Sequence, residues 1–375
     1  MPISFLSDNT FLHMSKSALF VYTHLSTFVK GDLEILSRHY KVKEYKVTNA
    51  PKHKLPSSLV ALFFYLLFNI YRFDIIYIWF ADYHSFLPVL FSRITGKRSV
   101  IVIGGYDICR EREYRYGSFS SPLRAYMALT SIKLASVNLC VSKNVQRVVK
   151  SIATRSSTAL VYNGVNTHSP LFAMGKELMA ADDKPGKTSA GEYAINGIDF
   201  LCVALSNSMQ AFFIKGTDRF IQIASEMREY SFVLVGCDEK VLRDSSIPVP
   251  INLKVIPAID HSRLKQYYQR SRVYCQLSRR ESFSLSLAEA ILFNCVPVIT
   301  NVGGMPEVTG GLGLINNGDN REEIKQALLS ALKESSEIRV ENSSDSVYKR
   351  RVLEKFTIEV RERELLVLLS SISRV

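Results

Sequence analysis

Glu281 and Glu289 stand eight positions apart in the stretch Leu277-Ser278-Arg279-Arg280-Glu281-Ser282-Phe283-Ser284-Leu285-Ser286-Leu287-Ala288-Glu289-Ala290. The run from Leu285 to Phe293 is helix-competent, and Ser282 or Ser284 can serve as its N-cap. Backbone N–H groups around Ser284 and Leu285, just after Phe283, then face the end of the preceding strand-like run Val273–Gln276, where an anion is welcome. Glu289 falls just over one turn into this helix, and Glu281 sits in the loop before it. Two carboxylates flanking an N–H-rich helix start can hold sugar hydroxyls on either side of a pyrophosphate. A buried strand, Val296-Pro297-Val298-Ile299-Thr300, comes next. It leads to a Gly303-Gly304 turn, where the lack of side chains lets the backbone approach a ligand closely. By composition alone, strand, loop, helix, strand and glycine turn are also ordinary α/β architecture.

The elements that must carry these residues alternate along the whole chain, which predicts an α/β fold with parallel sheets. In the first half, strands are expected at Ala18–Thr23, Lys41–Val47, Ile75–Phe80, Ser99–Ile103, Val137–Val141 and Ala159–Tyr162. Helices between them include Thr27–Ser37, Ser57–Tyr71, His84–Ile94 and Ser142–Ile152. Residues 173–197 lack apolar periodicity and read as an exposed connector. The alternation restarts with Asp199–Leu205, Phe232–Val235, Asn252–Ile256, Val273–Gln276 and Val296–Thr300, with helices at Asp218–Arg228 and Ser262–Gln269. A chain of 375 residues suits two domains of roughly 150–200 residues each. The expected division is residues 1–172, a linker at 173–197, a second domain at 198–356, and a helix in 357–375 packing back toward the first domain. Ligands of such sheets bind outside the carboxyl ends of the strands.

The segment resembles the nucleotide-sugar signature of glycosyltransferase family 4, roughly E-x7-E, an alanine, P-V-I, and G-G-x-P-E. The matching pieces are Glu281, Glu289-Ala290, Pro297-Val298-Ile299 and Gly303-Gly304-Met305-Pro306-Glu307. Lys215-Gly216 is similar to the family's K-G segment, Phe232-Val233-Leu234-Val235-Gly236 to its glycine-ended strand, and Asn163-Gly164-Val165-Asn166 to its N-G-V-D turn. Ala81 to His84 and Gly104-Gly105-Tyr106-Asp107 resemble first-domain cleft loops. The likeness implies a GT-B fold: two Rossmann-like, doubly wound domains facing a central cleft. It implies transfer with retention from a UDP- or GDP-sugar. Glu281 would touch the transferred sugar and Lys215 would neutralise the leaving phosphates, as the catalytic pair. Glu289 would hold the ribose, with Phe283, Ser284, Leu285, Gly303 and Gly304 completing the donor site. No cofactor or metal is implied. The chemistry suits such groups, because departure of a nucleoside diphosphate builds negative charge that preorganised donors stabilise.

Two departures from the pattern stand out. Family members usually place an arginine about five residues before the lysine, where this chain has Gln210, so Arg279 or Arg280 is expected to supply the charge. A first-domain cleft histidine is absent at Ile103-Gly104-Gly105. His84 or Asp107, with Gly105 and Asn163, is then expected on the acceptor side.

Charge separates the two halves. Residues 1–172 hold 21 Lys+Arg against 9 Asp+Glu, whereas residues 173–375 hold 26 of each. The first half therefore either carries a solvated basic surface or meets something anionic. Ser57–Tyr71 is apolar on nearly every side, so it either lies buried against the sheet or rests on a membrane between Lys52, Lys54 and Arg72. The latter makes a cell-envelope or lipid-linked saccharide the acceptor and a peripheral site on the cytoplasmic membrane the location. The loop Ile108–Phe119, with Arg110, Arg112 and Arg115, either lines an acceptor site or is solvated.

The apolar run Leu59–Ile70 is shorter than the ~20 residues of a membrane span, and Met1–Ser15 lacks the pattern of a signal peptide. Six scattered cysteines, without CxxC or zinc spacing, suit free thiols in a reducing cytoplasm. No basic–aromatic motif points to nucleic acid, and no G-x-G-x-x-G follows the first strand as an oxidoreductase would need. Two rivals share the fold: a non-catalytic nucleotide-sugar-binding protein, favoured by the missing arginine and histidine, and a nucleotide-sugar epimerase.

Overall fold

The computed structural model describes residues 16–48, 52–169, 172, 197–340 and 346–373. The stretch Met1–Ser15 and the connector expected at 173–197, except Gly197, lie outside the described residues.

Lobe 1 runs β1 (Ser17–Tyr22), α1 (Thr27–His39), β2 (Lys41–Lys46), α2 (Leu55–Asn69), β3 (Ile75–Trp79), α3 (Tyr83–Thr95), β4 (Arg98–Ile103), α4 (Pro122–Leu134), β5 (Val137–Cys140), α5 (Lys143–Ile152) and β6 (Thr158–Leu160). Its six strands are all parallel, in the order β2-β1-β3-β4-β5-β6. Lobe 2 runs β7 (Ile198–Ser206), α6 (Met209–Ile214), α7 (Thr217–Glu226), β8 (Phe232–Cys237), α8 (Glu239–Asp244), β9 (Leu253–Ile256), α9 (Lys265–Arg270), β10 (Ser271–Gln276), α10 (Leu285–Leu292), β11 (Val296–Thr300), α11 (Met305–Thr309), β12 (Leu314–Ile315), α12 (Arg321–Val340), α13 (Val347–Lys355) and α14 (Ile358–Ser373). Its sheet, also parallel, has the order β12-β11-β10-β7-β8-β9. Strand order reverses between β1 and β3 in lobe 1 and between β7 and β10 in lobe 2, which puts a binding crevice at each reversal.

Local chemistry explains the elements. β3 reads Ile75-Ile76-Tyr77-Ile78-Trp79 and is buried throughout, as a parallel strand covered on both faces must be. α3 starts at Asp82, whose side chain forms a capping box with Ser85, and stops at left-handed Gly96.

The second lobe crosses back to the first through α14. Val165 N–H donates to Phe356 O at 2.8 Å, and Ile358 N–H donates to Val165 O at 2.9 Å. One turn on, Arg361 clasps Asp32 of α1 with both ends of its guanidinium, at 2.6 and 2.7 Å. It also donates to the carbonyls of Val161 and Tyr162. Tyr77 donates to the same Asp32 carboxylate at 2.6 Å. Both charges are at most 2% exposed, so the pair is fully desolvated and fully partnered.

Candidate active site

The carboxyl end of β10 builds the centre of the site. Gln276, its last residue, is buried and donates from Nε2 to Glu281 Oε2 at 3.0 Å, while its Oε1 accepts from Ser284 Oγ at 2.6 Å. Ser284 also accepts from Leu287 N–H at 3.3 Å and so caps α10. Its φ of 76° lies in the left-handed region, at a cost of about 1–3 kcal/mol that these contacts offset. Glu281 is thereby wired to the start of α10, where the N–H groups of Leu285 and Ser286 have no acceptor within the helix. An anion placed there meets the positive end of the helix.

Lys215 reaches the same point from another element. It ends α6, and Gly216 follows at φ 69°, where an added Cβ would stand 1.9 Å from Leu277 O. Only glycine lets this turn press against the end of β10. The result is a 2.7 Å contact between Lys215 Nζ and Glu281 Oε2, with the lysine about a third exposed and the glutamate one tenth.

Glu289 lies one turn deeper and is 5% exposed. Its Oε1 is 2.8 Å from His261 Nε2, and its Oε2 accepts from Tyr268 at 3.2 Å. The bond to Glu289 raises the pKa of His261 above its usual 6.5 against the opposing effect of burial. Neither His261 nor Tyr268 was expected from the sequence. The available signal was that His261 is the only histidine after His168.

The glycine turn behaves differently from its expected role. At Gly303 (φ 62°) an added Cβ would stand 1.5 Å from Glu281 O, and at Gly304 it would stand 2.3 Å from Ser282 O. The glycines admit the backbone of the Glu281–Ser282 loop, so their close partner is protein. Glu307, after them, accepts from the N–H groups of Lys143 and Asn144 at 2.9 and 3.0 Å and from Tyr162 Oη at 2.8 Å. It fastens lobe 2 to the start of α5 in lobe 1. The Phe283 ring is 1% exposed and packs on Tyr162 and Phe356, so only its backbone is placed to serve the site.

The two arginines expected to replace the missing one part ways. Arg279 is bidentate to Asp218, at 2.7 and 2.8 Å, and donates to Phe213 O, so its fork is spent inside lobe 2. This corrects its assignment to the donor phosphates. Arg280 is 58% exposed and pairs with Glu111 of lobe 1 at 2.6 Å. Around it the 108–121 loop leans on lobe 2, where Tyr114 stacks on Phe213 and Gln210 Nε2 reaches Arg115 O at 3.5 Å.

Lobe 1 contradicts two further expectations. His84 is 3% exposed and its Nε2 lies 2.7 Å from Trp79 O; burial lowers its pKa. Asp107 is fully buried and accepts N–H bonds from Ala81, Gly104 and Gly105. Burial raises it to about 6, the backbone donors notwithstanding. Both side chains point inward and shape the loops, because each satisfies backbone groups that a parallel sheet leaves open at its strand ends. Asn163 is 8% exposed, and its Oδ1 is buried without a protein partner. Gly105 does face across the cleft, with an added Cβ falling 2.6 Å from Ser282 Cβ. Among the described residues, no group of three His, Cys, Asp or Glu is placed to hold a metal ion.

Residues 208–348 match the family described as glycosyl transferases group 1, a span that contains Lys215, Glu281, Ser284 and Glu289. Over these residues the chain is similar to the glycosyl transferases of group 1. No curated protein matches it. Solved structures share the whole two-lobed architecture. Sucrose-phosphate synthase from Thermosynechococcus elongatus superposes with a TM-score of 0.71 at 14% identity, covering 95% of this chain and 98% of that one. Anabaena HepE, in complex with UDP-glucose, gives 0.65 at 14% identity over 95% and 99%. WaaG, a glycosyltransferase involved in lipopolysaccharide biosynthesis, gives 0.60 at 12% identity over 90% and 98%. The fold is therefore GT-B.

Proposed function

We propose that the enzyme moves a hexose from a UDP- or GDP-sugar to a cell-envelope or lipid-linked saccharide held on the lobe 1 side of the cleft. The observation that carries this reading is the Lys215–Glu281 contact at the carboxyl end of β10, joined through Gln276 to the start of α10. In this reading the pyrophosphate lies against the first turn of α10. Lys215 stays beside it as the sugar–phosphate bond breaks and negative charge gathers on the leaving oxygen. Glu281 turns toward hydroxyls of the sugar being transferred. Glu289 exchanges His261 and Tyr268 for ribose hydroxyls. Arg280 supplies the further positive charge by releasing Glu111. The UDP-glucose held by HepE supports a uridine donor, and the lipopolysaccharide role of WaaG supports an envelope acceptor. The six cysteines are free thiols, which suits a cytoplasmic enzyme.

A thermal-shift screen with UDP, GDP and their common sugars identifies the donor, because a ligand bound only by the folded state raises the melting temperature. Turnover is then read as nucleoside diphosphate released together with a glycosylated acceptor. Failure of every UDP- and GDP-sugar to shift the melting temperature, or turnover insensitive to Glu281→Ala, sinks the reading.

A further inference from the structure

The outward face of α2 is apolar. The helix has no charged residue from Leu55 to Asn69. One side meets the core of lobe 1: Leu62, Leu66 and the following Ile70 are fully buried, Tyr65 packs on Tyr45, and Phe63 on Phe91. The opposite side carries Val60, Phe64, Leu67, Phe68 and Tyr71, between 43% and 71% exposed, and Ile94 of neighbouring α3 adds a side chain 72% exposed. Positions 60, 64, 67, 68 and 71 follow helical spacing, so they form one stripe. A helix lying against water turns polar residues outward, and a contiguous apolar stripe marks an interaction surface.

Its border is basic. Lys54 and Arg72, at the two ends, and Arg93 on α3 are all exposed. Residues 41–98 hold nine Lys+Arg against three Asp+Glu. We infer that this face docks on an anionic lipid bilayer, with α2 lying in the plane of the headgroups, its aromatic stripe below them and its basic ends among them. Charge decides against a second copy of the chain, because two positive rims would face each other. Packing decides against a crossing helix. Leu55–Arg72 is long and apolar enough to span a membrane, yet standing upright would pull Leu62, Leu66 and Ile70 out of the core.

The orientation has a consequence for the cleft. β2 and β3 both run parallel to β1, so α2 returns from the carboxyl to the amino end of the sheet. Its Lys54 end is therefore level with the cleft mouth. A bilayer on this face lies beside the acceptor side, which deepens the proposed function by favouring an acceptor embedded in lipid.

The test is flotation of the full chain with vesicles of phosphatidylcholine alone, or containing about one third phosphatidylglycerol. The wild type is expected to float with the anionic vesicles and to be released at about 0.5 M salt. Phe64→Ser with Phe68→Ser should weaken binding at least about tenfold. Lys54→Ala with Arg72→Ala should weaken it several-fold and flatten the salt dependence. Melting temperature and donor turnover without vesicles check that each variant is folded. Absence of flotation, equal flotation with both vesicles, indifference to the phenylalanine pair, or a dimer that this pair abolishes would each overturn the inference. Loss of turnover with flotation intact would instead count against the reading of the cleft.

Discussion

The two lobes spend their polar residues differently. In lobe 2, Lys215, Gln276, Glu281 and Ser284 join in one hydrogen-bonded chain at the end of β10, and Glu289, on the same helix as the Ser284 cap, is held by His261 and Tyr268. In lobe 1, His84 and Asp107 occupy the corresponding strand ends but turn inward to satisfy backbone. What distinguishes lobe 1 is its exterior, which is basic and, along α2, apolar. Similar sheets thus carry buried, mutually oriented groups in one half and a basic, partly apolar exterior in the other.

The largest expected effect lies where the halves are joined. Arg361→Met leaves Asp32 buried and unpaired, which should cost about 3–5 kcal/mol in chemical denaturation. A loss under about 1 kcal/mol would mean that α14 does not hold lobe 1 as described. Next comes the pocket. Lys215→Ala should lower kcat about 100-fold or more while leaving the melting temperature near the wild type, because its role appears only as charge develops. A defect confined to KM would move Lys215 from catalysis to ground-state binding.

The His261–Glu289 contact gives a smaller, pH-dependent effect. The folded-state pKa of His261 is raised, so its contribution to stability is fully present below the usual value of 6.5 and fades as pH rises through the raised one. The melting-temperature gap between wild type and His261→Ala should therefore close as pH climbs above 6.5. Donor binding should tighten over the same window if ribose takes the place of the imidazole. A gap that widens with pH would falsify this account. The smallest effect is expected at Arg280→Ala. Its exposed pair with Glu111 contributes no more than about 1 kcal/mol to stability. A drop in donor affinity without loss of stability would make it the second positive charge of the site.

The loop and helix that carry Glu281 and Glu289 were legible in advance because their parts are close in sequence. Glu281, Ser284 and Glu289 share one loop–helix unit, and cap chemistry with helical spacing ties their positions together. The glycine turn was legible as a turn but not in its purpose. Spacing cannot say whether a missing Cβ makes room for a ligand or, as at Gly303, for the backbone of the facing loop. His261, Tyr268 and Gln276 were missed for a related reason. Each is an unremarkable residue in its own segment, and it reaches the site only through the packing of β7, β9 and β10.

The sequence by itself determined the alternation of strands and helices and the uneven charge, because each of these rests on local periodicity or on composition. Tertiary structure decided everything that depends on direction. It turned Arg279 onto Asp218, His84 onto Trp79 and Asp107 onto its own loop. It also decided how much of α2 is covered by protein. A helix apolar on all sides can lie in a core or on a membrane with the same sequence. Only its neighbours could fix which face is covered, and they cover one side while leaving Phe64, Phe68 and Tyr71 open.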